Sequence, residues 1–475
     1  MAIDILHLEK LKNIAGPKGY STDPDVIEPH LKEPREKFIG KSPLVLYPDS
    51  TEKVSALVHF AYEHDIKLVP QSGNTGLVGG GVPDASGNEI IISLKRMNRV
   101  RVKDNLNHTM TVESGMILAD AHNIATSMDM IFPMHLASEG SAMIGGNISS
   151  NAGGINVLHY GVMRDLVLGL EVVLPNGDIW NGLTGLRKDN TGYDLKQLFI
   201  GAEGTLGIIT AATLKLFPAH KQKNTAFVAI QNPEAAIKLL NLAREISGDS
   251  LIAFEILPRI GLDMTIKHMP GCRDPLDQSY PWYILMECAT SLNPDLLDLE
   301  KVMERILETA MEAELVIDGV VPKNMNEAND LWKLREFMSE AQKFEGGSIK
   351  HDIAVPVSKI PEFLKQAVEA VMQALPGVRP VPFGHIGDGN IHFNLSQPVN
   401  MNKQDYLKKW PDLNRVVHDI VTELGGSISA EHGIGTLKVG ELEHYKPETD
   451  LKIMRDIKKT IDPKNIMNPG RIIRV

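Results

Sequence analysis

Two histidines stand seven positions apart in Phe383-Gly384-His385-Ile386-Gly387-Asp388-Gly389-Asn390-Ile391-His392-Phe393-Asn394. The Gly-Asp-Gly-Asn segment between them cannot continue a helix and reads as a tight reversal between two short strands, which brings both imidazoles toward one point. After the turn, the strand period of two sets His392 and Asn394 on one face and Ile391, Phe393 and Leu395 on the other. The polar pair then looks into a site while the apolar set anchors it. Further on, Ala430-Glu431-His432-Gly433-Ile434-Gly435 adds a second polar pair at the end of residues 427–430, expected to be a short apolar strand. Two histidines and a glutamate, here His385, His392 and Glu431, make the ligand set of an open divalent-metal site, with His432 available beside them as a base. Taken singly, each histidine is more often a hydrogen-bonded core residue than a ligand; the joint pattern is what points to metal.

The composition narrows the classes. At 475 residues the chain has room for two or three cores, and 43% apolar with 23% charged residues is ordinary for a globular protein. A net charge of −11 argues against nucleic acid as a partner, so an anionic substrate must be held by a local positive cluster. Two cysteines, Cys272 and Cys288, provide neither a disulfide framework nor a cluster-binding set. The first ten residues carry acids and no apolar core, unlike a secretory signal or an Arg-rich transit peptide, and no apolar run is long enough to span a bilayer. These features predict a cytoplasmic protein, or one lying peripherally at the inner membrane.

Elements must deliver these residues, and three loops stand out among them. Residues 42–47 read as a strand, Asp49-Ser50-Thr51-Glu52 as a capping start for a helix through about His64, and 66–70 as a buried strand. The unit feeds into Gln71-Ser72-Gly73-Asn74-Thr75-Gly76-Leu77-Val78-Gly79-Gly80-Gly81-Val82. Glycines there let backbone N–H groups approach an anion, yet no Gly-Lys-Ser/Thr and no following helix occur. This excludes a Walker or Rossmann loop and leaves a diphosphate cradle of another type. Gly145-Gly146-Asn147-Ile148-Ser149-Ser150-Asn151-Ala152-Gly153-Gly154, followed by His159-Tyr160-Gly161, offers small residues on which a planar ligand can lie. Gly201-Ala202-Glu203-Gly204-Thr205-Leu206-Gly207-Ile208-Ile209 closes the region with a glycine turn into a buried strand. One long cofactor threaded through the domain explains three such loops better than unrelated turns do.

These stretches, the two-histidine turn, Ala430–Gly435 and the final Met467-Asn468-Pro469-Gly470-Arg471 occur in an order that resembles one known family over nearly the whole chain. The sequence is similar to the FAD-dependent 2-hydroxy-acid dehydrogenases of the vanillyl-alcohol-oxidase type. Its likeness is greatest to their D-2-hydroxyglutarate branch, with D-lactate dehydrogenases and glycolate oxidase flavoprotein subunits as neighbours. The resemblance implies an α+β fold: a two-subdomain FAD-binding domain over residues 1–217, a substrate or cap domain with an antiparallel sheet over 218–424, and a segment, 425–475, that returns to the flavin domain.

The resemblance also assigns roles. Pro70, Gln71, Ser72, Gly73, Asn74, Thr75, Gly76, Leu77, Gly79 and Gly80 look like the diphosphate loop. Gly145, Gly146, Asn147, Asn151, Gly153 and Gly154, with Tyr160 and Gly161 after them, look like the stretch around the flavin and ribityl chain. Glu203, Gly204 and Ile209 look like the adenine side, and Asn468 like the residue returning to the flavin. Some relatives tether FAD to a histidine near the glycine loop; none stands in this loop, which implies non-covalent FAD. Arg335, Ser339 and Lys350 correspond to the carboxylate-binding set, Arg335 and Ser339 being expected one turn apart on a helix over 327–344.

The chemistry so implied is oxidation of a D-2-hydroxy acid, D-2-hydroxyglutarate or D-malate, with hydride passing to flavin N5. His432 is the base, Asn394 the orienting residue, and His385, His392 and Glu431 the ligands of a divalent metal, zinc first and manganese or iron as alternatives. The partners expected are a small anionic substrate, an external electron acceptor (electron-transfer flavoprotein, quinone or cytochrome) and a second copy in a homodimer. A D-lactate or glycolate dehydrogenase is the neighbouring alternative. A metal-dependent hydrolase, or a flavin-binding module without catalysis, would each leave part of these residues unused.

Overall fold

Ser50 opens the first long helix of the flavin region: its hydroxyl accepts from the Lys53 N–H at 3.3 Å, and Thr51–Glu63 follow as helix. Val54, Leu57, Val58 and Ala61, spaced for one helical face, are all fully buried. Helix and flanking strands belong to a computed structural model that describes residues 3–475, divided into two units.

The first unit comprises the chain up to Gly154, Gly161–Ala219 and Glu431–Val475. Its smaller sheet runs in the order Tyr20–Ser21, Val45–Leu46, Glu89–Ser93, Lys67–Gln71, with the last three strands parallel. Parallel strands need a crossover, which Thr51–Glu63 provides. The larger sheet is antiparallel, in the order Val100–Asp104, Thr109–Glu113, Ile208–Lys215, Val167–Val173, Ile179–Gly182. The C-terminal segment is stitched to the parallel sheet: the Leu68 N–H donates to the Ile466 carbonyl and the Asn468 N–H to the Leu68 carbonyl, each at 2.8 Å. Ile466 and Met467 are thereby part of one core with Leu46, Leu57, Leu68 and Ile90.

The second unit comprises Ile155–Tyr160 and His220–Ala430. It holds an antiparallel sheet ordered Leu251–Pro258, Trp282–Thr290, Gln222–Ile230, Asp318–Val320, and another ordered Ser348–Ala354, Asn390–Ser396, Arg379–Phe383. Ile256 joins the two sheets by exchanging both backbone hydrogen bonds with Gly384, at 2.9 and 3.1 Å. Helices Ile360–Ala374 and Trp410–Glu423 present Phe363, Val371, Val417 and Val421 as their buried faces.

Two elements depart from the sequence expectation. The helix expected over 327–344 divides into Met325–Glu336 and Met338–Ala341 at Phe337, which caps the first segment and opens the second. Past the break, Met338 and Ala341 are fully buried in a cluster with Leu262, Leu285 and Phe383, a tertiary contact that local sequence does not show. Residues 427–430 form no strand; Ser427 makes a single bridge to Ala354 and its hydroxyl turns back to the Ser429 N–H.

Candidate functional site

In the second unit the register of the three-stranded sheet assembles a polar face. Phe383 stands opposite His392, Asp352 opposite His392 on the other side, and Lys350 opposite Asn394. Residues directly opposite in an antiparallel pair share a face, so Lys350, Asp352, His392 and Asn394 form one patch. Ile391, Phe393 and Leu395 point the other way and are fully buried, with the Phe393 ring 5.4 Å from that of Phe363. The alternation expected from the sequence is therefore present. Gly384 and Gly389, with φ of 140° and 95°, let the chain reverse between the strands.

His385 sits in that reversal, its ring 5.5 Å from the ring of His392. Its Nδ1 lies 2.6 Å from Glu255 Oε1, a neighbour created by the Ile256–Gly384 bridge one residue along each strand. An Nδ1–H donated to a carboxylate fixes the tautomer and puts the lone pair on Nε2, the arrangement that orients histidine ligands of metals. Glu255 is 1% exposed. Burial pushes its pKa up, but His385 and Arg335 outweigh that and hold it at about 2, so it stays anionic. In contrast, Asp388 in the turn is pushed up by burial to about 6.

The carboxylate-binding candidates are placed close together, with one difference from expectation. Arg335 lies in the last turn of the first helical segment and Ser339 in the next one, on either side of Phe337. Arg335 donates Nε to Glu255 Oε2 at 2.5 Å and lies over the Phe383 ring, 4.8 Å from its centroid. Ser339 instead holds Lys350, whose ammonium donates to both its hydroxyl and its carbonyl oxygen. Glu431 and His432 are the first two residues after Ala430, whose N–H donates to the Asp352 carbonyl at 3.3 Å. Glu255 and Asp352 escaped the sequence reading. Each owes its place to strand register, and neither lies in a glycine or histidine motif.

In the first unit the scattered glycine and amide stretches converge. A Cβ on Gly146 would fall 3.1 Å from Ser72 Cβ, and one on Gly204 would fall 3.1 Å from Pro70, so the end of strand Lys67–Gln71 and the start of the loop after it touch both later stretches. Glu203 accepts from the Ile434 and Gly435 N–H groups, each at 2.7 Å. Burial raises its pKa to about 7 against these two donors. Asn468 donates Nδ2 to the Gly80 and Glu203 carbonyls at 2.9 and 2.7 Å. Glu203 and Asn468 thus clamp the glycine loop to the C-terminal segment. Gln71 and Asn74 have structural jobs too: Gln71 Nε2 donates to the His30 and Gly81 carbonyls, and Asn74 Nδ2 to that of Lys32.

Asn151 Oδ1 takes the Arg164 N–H at 2.9 Å, and the Ile209 carbonyl takes the Ser114 hydroxyl. Gly154 packs on the His135 carbonyl, Gly153 is buried, and Gly161 turns the chain with φ of 77°. Tyr160, expected among these residues, lies in the second unit, where its hydroxyl meets His220 Nε2 at 2.7 Å. The cradle fits a flavin nucleotide. Gly76 has nothing within 4 Å of its Cβ position, Gly73, Thr75, Leu77 and Gly79 line the same loop, and the buried amides Asn147 and Asn468 keep Nδ2 and Oδ1 without partners among the described residues. Among the described residues no helix is long and apolar enough to cross a membrane.

An FAD binding domain model matches residues 42–182, and the C-terminal domain model of FAD linked oxidases matches residues 219–472. The chain is 36% identical to the mitochondrial D-2-hydroxyglutarate dehydrogenase of Arabidopsis thaliana, over 99% of this chain and 82% of that protein. It is 37% identical to the D-2-hydroxyglutarate–pyruvate transhydrogenase of Saccharomyces cerevisiae, over 92% of this chain and 88% of that one. The expectation of a cytoplasmic location gains nothing from a relative named mitochondrial. Among solved structures, p-cresol methylhydroxylase with substrate bound superposes with a TM-score of 0.76 at 17% identity, covering 99% of this chain and 96% of that one, which shows the vanillyl-alcohol-oxidase-type fold. The chain belongs to the FAD linked oxidases, in the family that includes the D-2-hydroxyglutarate dehydrogenases.

Proposed function

We propose that this chain oxidises D-2-hydroxyglutarate to its 2-oxo acid, using non-covalent FAD and a divalent metal, zinc first, held by His385, His392 and Glu431. The observation that carries the metal is the Glu255–His385 hydrogen bond beside His392, an outer carboxylate setting one imidazole next to another. Bound FAD supplies the hydride acceptor. The metal ion supplies positive charge that lowers the pKa of the substrate hydroxyl.

The chain's own residues do the rest. Lys350, held by Ser339, and Arg335, held by Glu255, offer two fixed cations, the complement of a dicarboxylate. Asn394, cross-strand from Lys350, orients the bound acid. His432 takes the hydroxyl proton as the C2 hydrogen departs with its electron pair, which leaves the 2-oxo acid. The two electrons then pass to an external acceptor: an electron-transfer flavoprotein, a quinone, a cytochrome or, as the yeast relative's name suggests, a 2-oxo acid such as pyruvate.

Two variants test the assignment. His432→Asn is expected to keep the bound-flavin spectrum and lose reduction by substrate; normal reduction removes His432 from the base role. Lys350→Met is expected to raise KM for D-2-hydroxyglutarate roughly tenfold or more, the value of one charge-assisted hydrogen bond of about 1.5–3 kcal/mol. An unchanged KM refutes the contact.

A further inference from the structure

His122, His135 and Glu139 lie outside the residues used above, and their ligand atoms all come within 4.8 Å of one another in the first unit. His122 projects from helix Leu118–Thr126, while His135 and Glu139 come from the loop that follows Met130–Ile131. The Glu139 carboxylate stands 3.1 Å from His135 Nδ1 and 3.8 Å from His122 Nδ1, and the two rings are 4.5 Å apart.

The three groups are arranged as ligands are. His122 Nε2 lies 2.7 Å from the Met134 carbonyl, a bond that places the imidazole proton on Nε2 and turns the Nδ1 lone pair toward Glu139. A lone pair facing a carboxylate repels it unless a cation or a proton lies between them; without metal the Glu139 carboxylate accepts from His135 Nδ1 at 3.1 Å, and a bound ion would take the place of that proton. Bonds of about 2.0–2.2 Å to a tetrahedral ion separate ligand atoms by roughly 3.3 Å, a spacing bracketed by the 3.1 and 3.8 Å contacts. The His135 and Glu139 side chains are 45% and 42% exposed, so they can close the remaining gap and leave the outer positions of the ion to water.

We propose that His122, His135 and Glu139 form a second divalent-cation site, with zinc or a similar borderline metal as the ion, distinct from the site of His385 and His392. The ion ties helix Leu118–Thr126 to a loop that backs the flavin cradle. A Cβ on Gly154 would fall 2.1 Å from the His135 carbonyl, and one on Gly73 would fall 2.2 Å from the Ser141 carbonyl, so this loop is the wall behind both glycine stretches. The site is therefore structural, and occupancy should slow loss of FAD.

The test uses the FAD-loaded protein, stripped of metal, equilibrated by dialysis with buffered zinc and measured for bound zinc and released flavin. In a His385→Ala background, which removes the other candidate ligand set, one equivalent of zinc should remain. Adding His135→Ala, or Glu139→Gln as the shape-conserving alternative, should abolish that equivalent and speed FAD release in zinc without altering the flavin spectrum. Zinc binding that survives both substitutions overturns the proposal, as does a His385→Ala protein that binds none. Because the second metal is counted where the first is removed, failure here says nothing against the proposed reaction, and failure of that reaction leaves this count unchanged.

Discussion

Replacing Glu255 with glutamine removes one charge at the centre of the second unit and keeps its shape. The carboxylate accepts from His385 Nδ1 at 2.6 Å and from Arg335 Nε at 2.5 Å and is 1% exposed, so solvent cannot substitute for it. Glutamine has one acceptor oxygen for two donors. One of them then faces an NH₂ group, and Arg335 loses its counter-charge in a buried setting. Loss of an outer partner typically weakens metal affinity by about 10–100-fold, equivalent to about 1.4–2.7 kcal/mol. Truncation to alanine goes further, since breaking a buried pair costs about 3–5 kcal/mol and leaves Arg335 uncompensated. The assay is metal content after dialysis against a series of chelator concentrations, with flavin content measured in parallel. Glu255→Gln should lose metal at markedly lower chelator concentration than wild type while keeping its FAD, because the residues around the flavin cradle lie in the other unit. Identical metal retention at every chelator concentration refutes the role given to Glu255, and with it the argument that His385 is pre-oriented as a ligand.

Two further outcomes follow from the first unit. Glu203 keeps its proton to about pH 7 in the folded chain, whereas the same group ionises near its ordinary value of 4.5 when unfolded. The folded state thus binds more protons in that window, so stability falls as pH rises from about 4.5 to 7, by roughly 3 kcal/mol at most. Denaturation against pH should show this slope flattened in Glu203→Gln, and an unchanged slope assigns it elsewhere. Lys458 is buried, donates to Asp462 at 2.5 Å and to the Thr205 and Met467 carbonyls at 2.8 Å, and has its pKa lowered chiefly by burial. Asp462→Ala leaves that ammonium unpaired at a cost of about 3–5 kcal/mol, which lowers the melting temperature of this unit by roughly ten degrees. Because Met467 precedes Asn468, the variant should also release FAD more readily; a melting point within a degree or two of wild type contradicts the account.

What could be read in the sequence, and what could not, divides along a physical line. Helix Thr51–Glu63 was legible because its cap and its apolar stripe are local. The reversal between His385 and His392 was legible for the same reason: glycines at φ of 140° and 95° allow a sharp turn, and strand alternation fixes the rest. Glu255 was not legible, since it meets His385 across 130 residues only when Ile256 pairs with Gly384. Asp352 depends likewise on its register with His392. The break at Phe337 interrupts the helical pattern where Met338 and Ala341 pack into the core, a contact that local sequence does not show. The glycine and amide loops were legible as shaped loops, yet Gln71, Asn74, Glu203 and Asn468 prove to hold backbone to backbone. Motif spacing reveals that a loop must be shaped. It does not say which side chains do the shaping and which meet a ligand.

The most direct test of the central claim is anaerobic reduction of the bound flavin, followed by its visible absorbance, on adding D-2-hydroxyglutarate, D-malate, D-lactate or glycolate in turn. Rapid bleaching by D-2-hydroxyglutarate, and none by the monocarboxylates, is the result the account predicts, because Lys350 and Arg335 present two cations to a diacid. Bleaching by D-lactate or glycolate, with D-2-hydroxyglutarate inert, would contradict it.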